Sequence, residues 1–193
     1  MLLNSQLKIR IGRKMGHSSS SEMLPLNIAV LTVSDTRDES TDTSGGYLVK
    51  ALQEFGHQLV DRKIVPDDKY ILRAVVSNWI ASEEVQAVLV TGGTGFTARD
   101  VTPDALTPLF DKEVDGFGEL FRQVSYQEIG TSTIQSRAVA GLSNGTVIFC
   151  LPGSTGACKT GWSIIESQLD SSHKPCNFVP HLKSITSVCD SRG

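Results

Sequence analysis

Short apolar runs alternate with helical patterns along most of this 193-residue chain, and that alternation limits the possible folds more than any other feature. The clearest run, residues 26–35, is almost continuously apolar up to Ser34 and Asp35, which is typical of a strand buried on both faces. The strands predicted in this way are 26–35, 57–65, 85–90 and 146–152. Strand–helix alternation predicts an α/β protein, a three-layer αβα sandwich with a mostly parallel sheet.

Helical spacing of apolar residues fills the intervals between these strands. The predicted helices are 47–55, 71–80, 103–110, 117–124, 135–139 and 155–169. Ligands of open α/β sheets bind beyond the carboxyl ends of the strands. The segments immediately after the strands are therefore the candidate site: Ser34-Asp35, Pro66-Asp67, Thr91–Gly95 and Pro152–Ser154.

Charge, hydropathy and cysteine usage exclude several classes of function. A formal charge of −3 gives little electrostatic support for nucleic-acid binding. Apolar runs stay below the roughly 18 residues that a membrane-spanning helix needs, so neither nucleic acid nor a membrane is an expected partner. The cysteines at 150, 158, 176 and 189 form no CxxC pair or metal-ligand pattern, which favours reduced thiols in a cytoplasmic protein.

One domain is predicted, covering residues 24–182. The serine-rich segment 1–23 is expected to be a disordered tail, and residues 183–193 a second tail. An alternative for the first segment is a lipid-modification signal, because translation from Met15 would begin with MGHSSS, a loose match to the myristoylation pattern.

A glycine loop follows the third predicted strand at Gly92, Gly93, Thr94 and Gly95. Glycines let backbone N–H groups approach an anion without a Cβ in the way. The loop matches neither common phosphate-loop pattern, so a simple tight turn remains the alternative. With Arg99 and Asp100 close by, the phosphate-site interpretation is preferred.

The segment GSTGACKT, residues 153–160, resembles a P-loop but differs from it at one position. Cys158 stands where the P-loop needs the glycine that precedes its lysine, and a side chain there obstructs the wrap around phosphates. The segment also comes after the last predicted strand. Both observations argue against a P-loop hydrolase.

Asp67 and Asp100 are the carboxylates of greatest interest, since each comes after a predicted strand and can face the same edge of the sheet. Two such carboxylates can hold Mg²⁺, which is often bound by protein carboxylates and by the oxygens of substrate phosphates together. The alternative is structural, with Asp67 capping its helix and Asp100 capping the loop near Thr102.

Other polar residues are assigned more weakly. Ser44 and Gly45 belong to a segment that is read first as a helix N-cap and second as a phosphate donor site. Arg137 and Lys159 either meet anionic groups or lie on solvated helix faces, and the latter is preferred. The isolated histidines outside the N-terminal tail are expected at the surface: His57, His173 and His181.

Several of these motifs, in this order, resemble the MoaB/Mog family of molybdenum-cofactor biosynthesis proteins, and the match is closer to MoaB. The resemblance spans residues 25–182. It is carried by LTVSDTR (31–37), DTSGGYL (42–48), VPDD (65–68), TGGTGFTARDVTPDA (91–105), VDGFGELFRQVSYQEIGTSTIQSRAVAG (114–141) and LPGSTGACKT (151–160).

The resemblance implies a molybdopterin-binding fold that assembles as trimers or hexamers. It also implies a reaction in which the terminal phosphate of molybdopterin attacks the α-phosphorus of ATP with the help of Mg²⁺, releasing pyrophosphate. Asp67 and Asp100 match the family's required aspartates and become the expected catalytic and metal-binding residues. The expected substrate-binding residues are Ser34, Asp35, Ser44, Gly45, Gly92, Gly93, Thr94, Gly95, Pro152, Gly153 and Ser154.

A non-catalytic alternative stands beside this prediction. Some MoaB proteins replace the two aspartates and lack adenylyltransferase activity, which leaves a pterin-binding or scaffold oligomer. This chain retains both aspartates, and that favours catalysis. It departs from the usual Mog pattern at PGSTGAC, the segment expected to contact the pterin.

Overall fold

The computed structural model describes residues 23–184. The greater part of each predicted tail, the MGHSSS motif and Cys189 lie outside the described residues. Lys183, assigned above to the C-terminal tail, is anchored, because its Nζ donates hydrogen bonds of 2.6 Å to the carbonyls of Ile80 and Ser82.

A six-stranded sheet forms the centre of the molecule, with the strand order β2-β1-β3-β6-β5-β4. The strands are β1 Asn27–Val33, β2 Gln58–Val65, β3 Ala87–Thr91, β4 Lys112–Glu113, β5 Val139–Ser143 and β6 Thr146–Leu151. The pairs β1–β2, β1–β3 and β3–β6 are parallel, whereas β5 runs antiparallel to both β6 and β4. The predicted mostly parallel α/β sheet is therefore confirmed.

Within residues 23–184, five α-helices cover the two faces of the sheet. They are α1 Thr43–Glu54, α2 Lys69–Ala81, α3 Thr102–Leu106, α4 Asp115–Ile129 and α5 Thr155–Gln168. Leu48, Phe121 and Trp162 pack α1, α4 and α5 into one apolar core, and Leu72 and Leu106 pack α2 and α3 into a second core on the other face. Both β3 and β6 are fully buried along their length, and packing against the two cores explains why all their residues except Thr91 and Thr146 are apolar.

One prediction about the segment before β6 needs correction. Residues 135–139, predicted as a helix, instead end a 3-10 turn, Gly130–Gln135, and enter β5 at Val139. The reason is the hairpin between β5 and β6, whose turn residues Asn144 and Gly145 have φ angles of 45° and 70°. An Asn-Gly turn of this kind pairs the strands on either side of it, which overrides the local helical pattern.

His57 was predicted at the surface and is buried, with 4% of its surface exposed. Its Nδ1 accepts a hydrogen bond of 3.1 Å from the backbone N–H of Leu26. Burial, only partly offset by Asp170, lowers the pKa of His57 to about 4, so the ring is neutral at pH 7. The cause of the error is tertiary, since the ring packs near Phe55 and Trp162.

No helix among residues 23–184 is long and apolar enough to cross a membrane. The described cysteines, Cys150, Cys158 and Cys176, are all free thiols, as predicted for them.

Candidate functional site at the carboxyl edge of the sheet

Three loops meet at the carboxyl ends of the adjacent strands β1, β3 and β6. The Oγ of Ser44 donates to the carbonyl of Gly153 over 3.3 Å, and the Oγ1 of Thr91 donates to the carbonyl of Pro152 over 3.1 Å. A Cβ on Gly153 would lie 3.1 Å from the Cα of Gly92, so the β3 and β6 loops touch along their backbones. This contact gathers residues that lie far apart in the sequence at one edge of the sheet.

The glycine loop has a backbone that L side chains rarely adopt. Gly92 and Gly93 have φ angles of +107° and +62°, and a Cβ on Gly92 would collide with the carbonyl oxygen of Val33. Thr102 anchors the loop with two hydrogen bonds. Its N–H donates to the carbonyl of Gly93 over 2.9 Å, and its Oγ1 donates to the carbonyl of Gly92 over 2.8 Å. The loop is therefore a fixed tight turn that also lines a cavity.

Asp67 is not a helix cap, which corrects the structural alternative for this residue. The cap of α2 is Asp68, whose Oδ1 accepts from the N–H groups of Tyr70 and Ile71 at 2.8 and 3.0 Å. Asp67 instead projects over the glycine loop, since a Cβ on Gly93 would lie 2.6 Å from its Oδ1.

The charge of the Asp67 carboxylate is poorly compensated. Within residues 23–184 it takes part in no side-chain hydrogen bond or ion pair. Burial, followed by the negative charges of Asp35 and Asp100, raises its pKa above the usual range, and the positive charge of Arg99 opposes this only in part. A cation placed beside this unpaired carboxylate would stabilise its ionised form.

Asp100 does take the loop-capping role that was the alternative to metal binding, but at a different position. Its Oδ2 accepts from the N–H and the Oγ1 of Thr97, at 2.9 and 2.6 Å, and not from Thr102. The hydrogen bond from the Thr97 side chain is the main cause of its lowered pKa. Because a Cβ on Gly95 would lie 2.8 Å from Oδ2, this carboxylate also faces the glycine loop.

Asp35 and Arg99 form a forked ion pair beside these two aspartates. Nε and Nη2 of Arg99 lie 3.0 and 2.7 Å from the Asp35 carboxylate, and this contact lowers the pKa of Asp35. The Oδ1 of Asp35 also accepts from the N–H of Asp67 over 3.2 Å. The pair thereby connects the β1, β2 and β3 loops at the edge of the sheet.

Arg137 was expected on a solvated helix face, but it braces the glycine loop. Its guanidinium donates to the carbonyls of Gly95 and Asp100, at 2.9 and 2.6 Å, and to the Asp104 carboxylate at 2.8 Å. It also lies 5.4 Å from the ring centroid of Phe96. The error has a tertiary cause, since the β5–β6 hairpin carries Arg137 to the site in an extended segment.

A cavity of about 550 Å³ opens between these loops and the C-terminal part of α4. Of the predicted site residues, those that line it are Gly92, Gly93, Thr94, Gly95, Asp100, Pro152, Gly153 and Ser154. Ser154 also caps α5 by accepting from the N–H of Ala157 over 3.1 Å. The volume suits a substrate of the size of a nucleotide or a pterin.

Two other predicted site residues, Ser34 and Ser44, line a smaller cavity of about 70 Å³. Ser34 is occupied as a turn residue, because its Oγ accepts from the N–H groups of Thr36 and Arg37 over 3.2 Å. Gly45 lines neither cavity, and its N–H donates to Oδ1 of Asp42 over 2.8 Å. The N-cap interpretation of this segment is confirmed.

The P-loop-like segment does not form a phosphate loop. Helix α5 begins at Thr155, so most of residues 153–160 are helical. Cys158 is buried, and burial raises the pKa of its thiol to about 11. Lys159 lies 5.9 Å from the ring centroid of Tyr47 between α1 and α5.

Sequence patterns did not indicate the residues that α4, the 3-10 turn after it and the end of that turn bring to the large cavity. They are Phe121, Ser125, Glu128, Ile129, Ser132, Gln135 and Ser136. Helical spacing contained a clue, because Ser125 and Glu128 come four and seven residues after Phe121 and so share its face. Apolar patterning alone did not single out these polar positions.

The residues present fit an Mg²⁺ ion that is bound partly by the protein and partly by the substrate. Within the described part of the chain they do not form a site in which the protein supplies all the ligands. Among residues 23–184 no group of three or more histidine, cysteine or acidic side chains is arranged to hold a metal ion. Two carboxylates plus substrate phosphate oxygens are a ligand set that Mg²⁺ commonly takes. Asp67 and Asp100 are the carboxylates that would contribute to it.

The raised pKa of Asp67 leads to a prediction about stability. Ionised Asp67 opposes folding, and this penalty appears as the pH rises through its raised folded-state pKa. We therefore expect Asp67→Asn to raise the Tm of the metal-free protein at pH 7 by about 1–2 °C. The gain should vanish below the ordinary carboxylate pKa of 3.8, where both proteins are neutral at this position.

Differential scanning fluorimetry from pH 3.5 to 8 measures this effect. Glu39→Gln is the matched control, since Glu39 is an exposed carboxylate on the β1 loop of the same edge. The account of Asp67 fails if Asp67→Asn lowers Tm at pH 7, or if Glu39→Gln raises it equally.

The chain is similar to known proteins in both its sequence and its structure. A family model described as a probable molybdopterin binding domain matches residues 29–170. Molybdenum cofactor biosynthesis protein B of Escherichia coli (strain K12) is 60% identical over 165 residues, covering 85% of this chain and 97% of that protein. A crystal structure of a molybdenum cofactor biosynthesis protein B aligns with a TM-score of 0.74 at 44% identity, covering 76% and 92% of the two chains. The tungsten cofactor synthesizing protein MoaB from Pyrococcus furiosus aligns with a TM-score of 0.69 at 42% identity, covering 75% and 92%.

Proposed function

Because the chain belongs to the family of molybdopterin-binding domains of molybdenum cofactor biosynthesis proteins, we propose that it is an Mg²⁺- and ATP-dependent molybdopterin adenylyltransferase. In this reaction an oxygen of the terminal phosphate of molybdopterin attacks the α-phosphorus of ATP. The bond from that phosphorus to the bridging oxygen of the β-phosphate breaks. Adenylyl-molybdopterin and pyrophosphate are the products.

The position of Asp67 carries this proposal. Its carboxylate projects over the glycine loop, has a raised pKa, and takes part in no hydrogen bond or ion pair of its side chain among residues 23–184. A purely structural aspartate would be expected to have partners, as Asp68 has at the N-terminus of α2. An unpaired carboxylate near Asp100 is instead suited to share a cation with the phosphates of a substrate.

The chain's own groups would supply binding and positioning, which dominate phosphoryl-type transfer. Gly93 and Thr94 of the glycine loop would offer their backbone N–H groups to phosphate oxygens, because the N–H of Gly92 already donates to the carbonyl of Leu151 over 3.0 Å. Arg137 and Thr102 donate hydrogen bonds to carbonyls of the loop and fix its shape. Asp67 and Asp100 would hold Mg²⁺, which when bound neutralises charge on the phosphates and on the departing pyrophosphate. Gly153 and Ser154 would line the pterin side of the cavity.

The reaction is tested by incubating the purified protein with molybdopterin, ATP and Mg²⁺ and monitoring pyrophosphate release. We expect release only when the pterin is present, and its loss when EDTA removes the metal. Release of inorganic phosphate from ATP without pterin would indicate a hydrolase and contradict the proposal. Pterin binding without any pyrophosphate release would favour the non-catalytic scaffold.

A further inference from the structure

One face of α4 gives the large cavity a wall of mixed character. Phe121, Ser125 and Glu128 lie on this face at spacings of four and three residues, and all three line the cavity. Phe121 and Ile129 provide apolar surface, whereas Ser125 and Glu128 provide polar groups. A flat heterocycle with hydrogen-bond donors on one edge matches such a wall.

Glu128 is held in place before any ligand arrives. Its Oε2 accepts a hydrogen bond of 2.8 Å from the Oγ1 of Thr160, a residue of α5 that is only 4% exposed. An acceptor fixed in advance loses less side-chain freedom when a ligand binds. Each carboxylate oxygen has two lone pairs, so both oxygens of Glu128 can still accept from a ligand.

Among the described residues that line the cavity, Asp100 and Glu128 are the acidic ones. Asp100 already accepts two hydrogen bonds from Thr97 and belongs to the phosphate end of the site. Glu128 is therefore the carboxylate available for the ring of a ligand.

Building on the proposed function, we propose that Glu128 selects the pterin ring by accepting from its 2-amino group and its N3–H. These two donors are adjacent on one edge of the pterin, so a carboxylate accepts both at once. The corresponding edge of adenine places a donor next to the N1 acceptor, which a carboxylate repels. Glu128 thus assigns this part of the cavity to the pterin and directs the adenine of ATP elsewhere.

Fluorescence titration with two probes tests this role without any chemical turnover. The first is 6-hydroxymethylpterin phosphate, and the second is the lumazine analogue, in which an oxygen replaces the 2-amino group. We expect the unmodified protein to bind the pterin at least about 10-fold more tightly, the effect of a charge-assisted hydrogen bond. Glu128→Gln should reduce that preference to within about 3-fold and leave ATP affinity unchanged.

Two further variants make the test specific. Glu119→Gln removes an exposed carboxylate from the same helix outside the cavity and should keep the full preference. Thr160→Val keeps Glu128 but removes the hydroxyl that positions it, and should weaken pterin binding by about 3- to 10-fold. A preference that survives in Glu128→Gln, or that is absent from the unmodified protein, overturns the inference.

The two proposals fail in different ways. Glu128-dependent pterin preference without pyrophosphate release would leave the inference standing and contradict the adenylyltransferase proposal. Normal adenylylation, with equal pterin affinity in Glu128→Gln and the unmodified protein, would overturn the inference alone.

Discussion

Replacing Asp67 or Asp100 by asparagine is expected to slow adenylyl transfer by about 10²–10³-fold, the usual effect of removing one electrostatic stabiliser of a transition state. Asparagine keeps the size of the side chain but loses the charge that holds Mg²⁺. Pterin affinity should change by less than about 3-fold, because the metal is expected to act on the phosphates. Single-turnover rates and pterin titrations on the same samples separate the two effects.

Asp68→Asn is the matched control for this pair of variants. Asp68 comes directly after Asp67 but caps α2, and asparagine is an equally good cap. Its turnover should stay within about 2-fold of that of the unmodified protein. If both Asp67→Asn and Asp100→Asn retain full turnover, the assigned roles are wrong.

Asp42→Ala is expected to produce the largest loss of stability, about 3–5 kcal/mol, as for breaking a buried ion pair by removing one partner. The Asp42 side chain is 2% exposed, and its Oδ2 lies 2.9 Å from Nη2 of Arg62. Thr32 and the N–H of Gly45 also donate to it, at 2.7 and 2.8 Å. Burial pushes its pKa up, but these hydrogen bonds and the charge of Arg62 outweigh burial and keep the pKa below its usual range.

The substitution would leave the partly buried Arg62 without its partner, and the buried Nε of Arg62 already has no hydrogen bond. We expect Tm to fall by about 10 °C, measured by calorimetry. Lys50→Ala is the control, since it breaks the exposed Lys50–Glu54 pair on α1 and should cost less than about 0.5 kcal/mol. Equal losses of stability from Asp42→Ala and Lys50→Ala would contradict the claim that the buried ion pair contributes more to stability than the exposed one.

The central strands and the edge that carries the site were predictable because their signals are local. A continuous apolar run such as 146–152 is a buried strand in almost any α/β context, and the loop after such a strand lies at the ligand-binding edge of the sheet. The glycine loop was predictable for the same reason, because glycines at successive positions indicate a backbone that other residues rarely adopt.

The parts that were missed depend on contacts between distant segments. Arg137 has no local pattern, and its role exists only because the hairpin around Asn144 carries it to Gly95 and Asp100. Glu128 enters the cavity because α4 packs against α5, where Thr160 fixes its carboxylate. The roles of Asp67 and Asp68 could not be separated in sequence, since only the geometry of α2 shows which of the two is the cap.

The most direct test of the central claim is mass spectrometric detection of adenylyl-molybdopterin made by the purified protein from molybdopterin, ATP and Mg²⁺. The account predicts many turnovers, with one pyrophosphate released for each adenylyl-molybdopterin formed, and almost none from Asp67→Asn under the same conditions. A protein that binds molybdopterin and ATP but forms no adenylyl-molybdopterin, with its aspartates intact, would contradict it.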